Sequence, residues 1–223
     1  EPLKELSQVA LSSMEIEIAM RANRKLGNAS LALALSKLLE IEEINVLAAH
    51  IHILMGNYDE AQRRFLQSSQ PSEALAMRAD LMQWDIALQL AQQLKPSDIP
   101  LICKQHAASL EFQCEHRHAL QMYEKADAAA TDEDLKRVCA HGMARMHMRC
   151  GNLAQGLKIA DRCGSKPLFR DCAAILESMK QWNEAGLMYE KAMMHDKAAQ
   201  IYMAAKNYTE VAKLMAGLDN PKL

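Results

Sequence analysis

Three things are scarce in these 223 residues, and each scarcity closes off a class of protein. Glycine and proline total only 8 and 6, and aromatic residues make up 4% while half the chain is hydrophobic. That is the composition of a helix-rich folded chain without a disordered tail. Charge of one sign is also missing. Lys plus Arg number 26 against 28 Asp plus Glu, a net charge of −2, with the two signs interspersed. No field exists to hold nucleic acid or an anionic membrane. No apolar run approaches the roughly 20 residues a bilayer span needs, so direct membrane insertion is not expected. Cysteines are present but unpaired in spacing: Cys103, Cys114, Cys139, Cys150, Cys163 and Cys172 contain no C-x-x-C. They read as free, mostly buried thiols of a reducing compartment. The chain opens Glu1-Pro2-Leu3, without an initiator Met or signal peptide, and is expected to be a piece from the middle or C-terminal part of a longer protein.

What is present is a repeated unit. Gly56-Asn57-Tyr58-Asp59-Glu60-Ala61, followed by Phe65, returns as Gln181-Trp182-Asn183-Glu184-Ala185 with Tyr189, then as Lys206-Asn207-Tyr208-Thr209-Glu210-Val211. A weaker echo is Gly151-Asn152-Leu153 leading to Gly156. Each copy reads turn, aromatic or apolar residue, acid, then a small residue where two helices approach. Recurrence at a few tens of residues marks a helical repeat array. The small residues Ala32, Ala61, Ala87, Ala119, Gly156 and Ala185 are separated by 29, 26, 32, 37 and 29 residues, near the 34 or so of a tetratricopeptide (TPR) unit. Twelve residues before four of them stand Ala49, Ala107, Ala144 and Ala173, as expected of close axes across a helical hairpin. Ala61, Ala74 and Ala87 are instead 13 apart, as are Ala185, Ala198 and Val211. That interval holds a helix of about nine or ten residues plus a turn, about 15 Å long.

Taken in order, Pro2 opens a helix whose apolar positions Leu3, Leu6, Ala10, Met14 and Ile18 run unbroken toward Leu26 and stop at Gly27-Asn28. Leu31 to Leu39 form a short helix, and Ile44, Leu47, Ile51 and Leu54 the next. Asp59/Arg63 and Glu60/Arg64 are placed for i,i+4 ion pairs. Pro71-Ser72 and Trp84-Asp85 open helices, and Lys95-Pro96-Ser97-Asp98 breaks the chain. Helices follow to Gln113 and from Glu115 to Lys125. Thr131-Asp132-Glu133-Asp134 resembles a capping box opening a long helix to Cys150. Pro167 is expected in the turn before a pair spanning Phe169 to Ala192, and two short helices close the chain near Gly217. The fold class is therefore all-α: a TPR-like α-solenoid of helical hairpins with some short helices of 13-residue period, in a single segment covering 1–223.

The stretch Leu38-Leu39-Glu40-Ile41-Glu42-Glu43-Ile44-Asn45-Val46-Leu47-Ala48-Ala49-His50-Ile51-His52, running into Gly56 to Ala61, resembles the solenoid of the WD-repeat subunits of intraflagellar transport complex A (IFT-A). Tyr123-Glu124-Lys125, Asp171-Cys172-Ala173-Ala174-Ile175-Leu176-Glu177, Tyr189-Glu190-Lys191 and Asp196-Lys197-Ala198-Ala199 continue the likeness over essentially the whole chain, loosest between Asp127 and Lys166. The resemblance implies N-terminal β-propellers outside this stretch and a scaffold of retrograde transport that brings membrane receptors into cilia. It also implies contacts with other IFT-A subunits and a place in the cilium or flagellum and basal body, on the cytoplasmic side. Vesicle-coat solenoids share the short helices and remain an alternative. A TPR peptide-binding adaptor is the other alternative. Asn45, His52, His106, Arg145 and Arg149 are too sparse on first helices to form its carboxylate clamp.

No catalytic motif is found, and no carboxylate pair stands apart in apolar surroundings, so the chain is not expected to be an enzyme or to hold a cofactor. Cys139, His141, Met143, Met146, His147, Met148 and Cys150 are dense in soft ligands that could suit copper. Yet Cys139, Met143, Met146, His147 and Cys150 fall on one helical face, as core does. His116 and His118, in Cys114-Glu115-His116-Arg117-His118, could ligate zinc but lack a second ligand pair at zinc-finger spacing. His50 and His52 cannot face one site. No metal is therefore expected, and the recurring Tyr58, Trp84, Tyr123, Trp182, Tyr189 and Tyr208 are assigned to the core. Ile201, Tyr202, Val211, Leu214 and Met215 stay apolar through the last helices, and Asn220-Pro221-Lys222 reads as a turn into a further repeat. An exposed apolar end that self-associates is the expectation.

Overall fold

The computed structural model describes residues 2–217. Among them there is no strand, and fifteen α-helices follow one another. The chain divides into two compact units, Glu1–Ser97 and Asp98–Leu223. The first holds α1 (Pro2–Ser12), α2 (Ile16–Lys25), α3 (Ala29–Leu38), α4 (Ile44–Leu54), α5 (Tyr58–Leu66), α6 (Ser72–Asp80) and α7 (Trp84–Leu94). The second holds α8 (Ile99–Phe112), α9 (His116–Ala129), α10 (Glu133–Arg149), α11 (Leu153–Cys163), α12 (Lys166–Ser178), α13 (Trp182–Lys191), α14 (His195–Ala204) and α15 (Tyr208–Gly217). The expected break at Lys95 to Asp98 is a single 3-10 turn, Pro96–Asp98. The fold is all-α and TPR-like, as the spacing predicts.

The small-residue register is the frame. Ala32, Ala61, Ala87, Ala119, Gly156 and Ala185 are all buried, and so are their partners Ala49, Ala107, Ala144 and Ala173. Each such pair belongs to a hairpin whose two helices pack on one another, α4/α5, α8/α9, α10/α11 or α12/α13, and small side chains let the axes close. A Cβ on Gly156 would stand 2.7 Å from Met148 Cγ and 3.0 Å from the Ala144 carbonyl oxygen. The 13-residue runs also appear: α5, α6 and α7 have 9, 9 and 11 residues, and α13, α14 and α15 have 10 each. Within the first unit Leu11, Ile16, Ala19, Leu35, Leu38 and Ile51 form one core. Within the second, α10 packs on α8, α9, α11 and α12, which explains why Met146 and Met148, only two residues apart, are both buried.

Among the described residues nine turns share one geometry, whatever residue sits in them. At Met14, Gly27, Gly56, Met82, Cys114, Gly151, Lys180, Met193 and Lys206 φ is positive. The amide of each such residue donates to the carbonyl three residues back, and the next amide donates to the carbonyl five residues before it. This reverse turn satisfies carbonyls that a helix end leaves open. Only three of the nine use glycine, the residue that adopts positive φ without steric cost.

That is where the first correction arises. The expected continuous helix from Pro2 to Leu26 is two helices, broken at Ser13–Glu15 by such a turn around Met14, whose side chain gives no sequence signal. The break gives α2 its own register, so Ile18 and Leu26 are exposed while Ile16 and Ala19 are buried; in α1 Leu6 is exposed and Ala10 and Leu11 are buried. Asp132, not Thr131, caps α10: its carboxylate accepts from the amides of Asp134 and Leu135 at 3.4 and 3.1 Å. Pro167 lies in the first turn of α12 rather than in a loop, where its missing N–H costs no hydrogen bond. The helix after Glu115 runs on to Ala129, past the expected Lys125. The Asp59/Arg63 pair does not form. Both Arg63 and Arg64 turn to Glu60, at 2.8 and 3.3 Å, because Asp59 is held by Arg78. At the far end Ile201, Tyr202 and Leu214 are core rather than surface, whereas Tyr208 is 68% exposed and Met215 is exposed. The anticipated turn at Asn220-Pro221-Lys222 lies outside the described residues.

Candidate functional site

The soft-ligand stripe of α10 is divided by packing. Cys139, Met143, Met146 and Met148 are buried, while His141, His147 and Cys150 are half-buried. Burial pushes the Cys139 thiol up to about 11, and that of Cys172 up to about 12. These thiols therefore stay protonated and behave as apolar filler. Burial likewise holds the His141 and His50 imidazoles below their ordinary value, and His50 stands edge-on to Phe65 with ring centroids 5.2 Å apart. Among the described residues no three His, Cys, Asp or Glu side chains converge in a way that could hold a metal ion.

Three polar arrangements were not anticipated. The first is a tie repeated along the second unit. Tyr123 Oη donates to Glu111 Oε2 at 2.9 Å and Tyr189 Oη donates to Glu177 Oε2 at 2.7 Å. Tyr202 stands in the same relation to Glu190, whose carboxylate helps raise its phenol. Each tyrosine stands twelve residues after its glutamate and four after a buried small residue, Ala119, Ala185 or Ala198. The signal was available as that spacing. Burial and the adjoining carboxylate raise all three phenols. A cation completes two of the ties. Arg145 Nε and Nη2 donate to Glu111 at 2.9 and 3.0 Å, and Lys197 Nζ lies 4.8 Å from the Tyr189 ring centroid and 3.9 Å from Glu177. For Glu111, burial works to raise the carboxyl, but the bonds and charge of Arg145, with Tyr123 and Arg149, hold it below the usual range. Glycine makes room for two of these rings: a Cβ on Gly142 would run into Tyr123, and one on Gly186 into Tyr202.

The second arrangement surrounds Arg78 in the first unit, 3% exposed. Its Nε donates to Gln62 at 2.7 Å, Nη1 to Gln83 at 2.5 Å and Nη2 to Asp59 at 2.6 Å. A buried guanidinium needs such saturation. It forms the floor of a hollow of about 410 Å³ whose rim carries Asp59, Glu60 and Arg63.

The third lies in the second unit, where the turns α8–α9 and α10–α11 bring Cys114, Glu115, His116, Arg117 and His118 together with Arg149 and Cys150 around a hollow of about 460 Å³. His118 Nδ1 lies 2.7 Å from Glu115 Oε2. His116 Nδ1 is buried without a hydrogen-bond partner. None of the three arrangements pairs a nucleophile with a base and an oxyanion pocket, as acyl transfer would need.

A family model described as "IFT80/172/WDR35/WDR19 TPR domain" matches residues 4–138, more than half of the chain. The chain belongs to that family. Within this segment the TPR fold of that family is that of a structural piece rather than an enzyme. The chain is 41% identical over 219 residues to WD repeat-containing protein 19 of Homo sapiens, and 39% identical to that of Mus musculus. It is 34% identical over 224 residues to WD repeat-containing protein dyf-2 of Caenorhabditis elegans. Each match takes in 98% of this chain but 16% of the relative, so the chain spans about a sixth of the length of these curated relatives. Among the described residues no helix is long and apolar enough to cross a membrane.

Proposed function

We propose that this segment is a non-enzymatic scaffold piece of intraflagellar transport complex A, carried within a longer chain that also bears β-propellers. It supports retrograde ciliary transport and the entry of membrane receptors into cilia through protein–protein contacts with other IFT-A subunits. It works at the cilium or flagellum and basal body, on the cytoplasmic side, and residues 1–223 serve as one stretch of the TPR-like solenoid. The observation that carries the reading is the family match over residues 4–138. It is joined to a register of buried small residues that continues through Ala144, Gly156, Ala173 and Ala185, beyond the matched region. Repeat arrays of this kind present long faces to neighbouring subunits and enclose no reaction chamber.

The test is affinity purification of the tagged full-length protein from ciliated and from deciliated cells, followed by mass spectrometry. Recovery of IFT-A subunits, reduced when residues 2–217 are deleted, is the expected result. Recovery of vesicle-coat subunits in their place would overturn it. Self-association is a lesser part of the same reading. It now rests on exposed Met203, Tyr208 and Met215, because Leu214, once expected at the surface, belongs to the core.

A further inference from the structure

The hollow at the α8–α9 and α10–α11 turns has a charge pattern that the scaffold reading does not use. Arg117 and Arg149 are exposed; the charge of Arg149 is felt by Glu111, whose hydrogen bonds go to Arg145 and Tyr123. Glu115 is the one carboxylate in the lining of the hollow, and it is engaged by His118. His116 Nδ1 in the same lining is buried without a hydrogen-bond partner. The same turn carries Phe112, 91% exposed at the last position of α8, two residues before Cys114. An aromatic ring left almost wholly in water, five residues before an exposed Arg117, has the composition of an interface centre, where aromatics and Arg are enriched. The hollow is within the range of about 300–1,000 Å³ filled by small ligands or a few side chains.

We propose that this hollow and Phe112 dock an acidic peptide segment of a partner protein. Its carboxylates engage Arg117 and Arg149 by paired N–H···O bonds, the geometry for which guanidinium is suited, and an apolar side chain covers the Phe112 ring. Charge complementarity selects the occupant. Two exposed guanidiniums against one carboxylate in the lining, in a chain of net charge −2, make a local positive spot, too small to track a nucleic-acid backbone or lie on a membrane. The cysteines and histidines at the site do not converge to hold a metal ion. This inference concerns a docking site and stands or falls apart from membership of the transport complex.

The experiment is fluorescence anisotropy of the whole chain with a short fluorescein-labelled peptide of Asp and Glu around a central Leu-Phe pair. Its controls are the Asn/Gln version of that peptide, inorganic phosphate as competitor, and phosphatidylserine vesicles in a sedimentation arm. Saturable, salt-sensitive binding of the acidic peptide alone is expected. It should weaken about tenfold or more in Arg117→Gln/Arg149→Gln and clearly in Phe112→Ser, while the exposed reference pair Arg21→Gln/Arg63→Gln leaves it unchanged. All these side chains lie on the surface, so circular dichroism should confirm an unchanged fold. Equal binding by the Asn/Gln peptide, equal loss in the reference pair, indifference to the Arg117/Arg149 change, or binding only to vesicles would each overturn the proposal.

Discussion

The same position in the repeat is filled differently in the two units. Four residues after a buried small residue, the first unit places Phe65 and Arg78, while the second places Tyr123, Tyr189 and Tyr202. The residue twelve positions earlier decides between ring types. Glu111 and Glu177 stand before Tyr123 and Tyr189 and accept their hydroxyls, and Glu190 stands before Tyr202, whereas Ile53 stands before Phe65, which presents only carbon. One backbone slot thus takes a ring in both units, and the opposite helix sets whether that ring carries oxygen. Arg78 follows another rule. Leu66 stands twelve before it, and its partners come from Asp59, Gln62 and Gln83.

The largest effects test what the units share. Ala61→Leu and Ala185→Leu should each destabilise by about 1–3 kcal/mol through overpacking, since both methyls are fully buried between paired helices. A thermal melt unchanged by either one would remove the register in that unit. The next test exchanges the slots. Phe65→Tyr should cost about 1–3 kcal/mol by burying a hydroxyl opposite Ile53 without an acceptor. Ile53→Glu on that background should recover part of the loss, because it rebuilds the pairing of the second unit. A double variant no more stable than the sum of the single changes would refute the twelve-residue rule.

Smaller effects sharpen the comparison. Tyr123→Phe should cost about 1 kcal/mol, the net worth of one hydrogen bond. Glu111→Gln should change the pH dependence. Glu111 is held low in the folded state, so its stabilisation is fully present above the ordinary glutamate value of about 4.3 and fades as pH falls through the depressed folded value. The stability gap between wild type and variant, followed by denaturant titration at several pH values, should close over that acidic window. A constant gap would mean the carboxylate is not held by Arg145. Smallest is Lys180→Gly, which should stabilise by up to about 1 kcal/mol by relieving a positive φ at an exposed turn residue.

What the chain disclosed about itself follows the strength of the physical constraint. A close approach of two axes admits only Ala or Gly, so Ala49/Ala61 and Ala173/Ala185 were visible in the spacing. A turn closed by backbone hydrogen bonds constrains no side chain, so Gly27 and Gly56 announced theirs while Met14 concealed its own. The Glu111/Tyr123 spacing recurs twice and was open to view, but a glutamate on a helix looks like a solvated face until its partner is known. Arg78 gave no warning, because its saturation depends on Gln62 and Gln83, polar residues with no pattern of their own. The hollow lined by Arg117 and Arg149 joins two turns more than thirty residues apart and needed coordinates to be seen.

Within the second unit the main packing partners of each helix lie one or two places away along the chain, and this bears on how it is made. On a ribosome a helical hairpin can form once its own two helices have emerged, since few distant contacts must be awaited. Tyr189 finds Glu177 as soon as α13 is synthesised, and the tie gains Lys197 when α14 follows. Glu111 and Tyr123 meet inside α8 and α9, yet their carboxylate waits for Arg145 in α10 before its charge is matched. The growing chain therefore passes through a stage in which that half-buried glutamate has a hydroxyl partner and no cation.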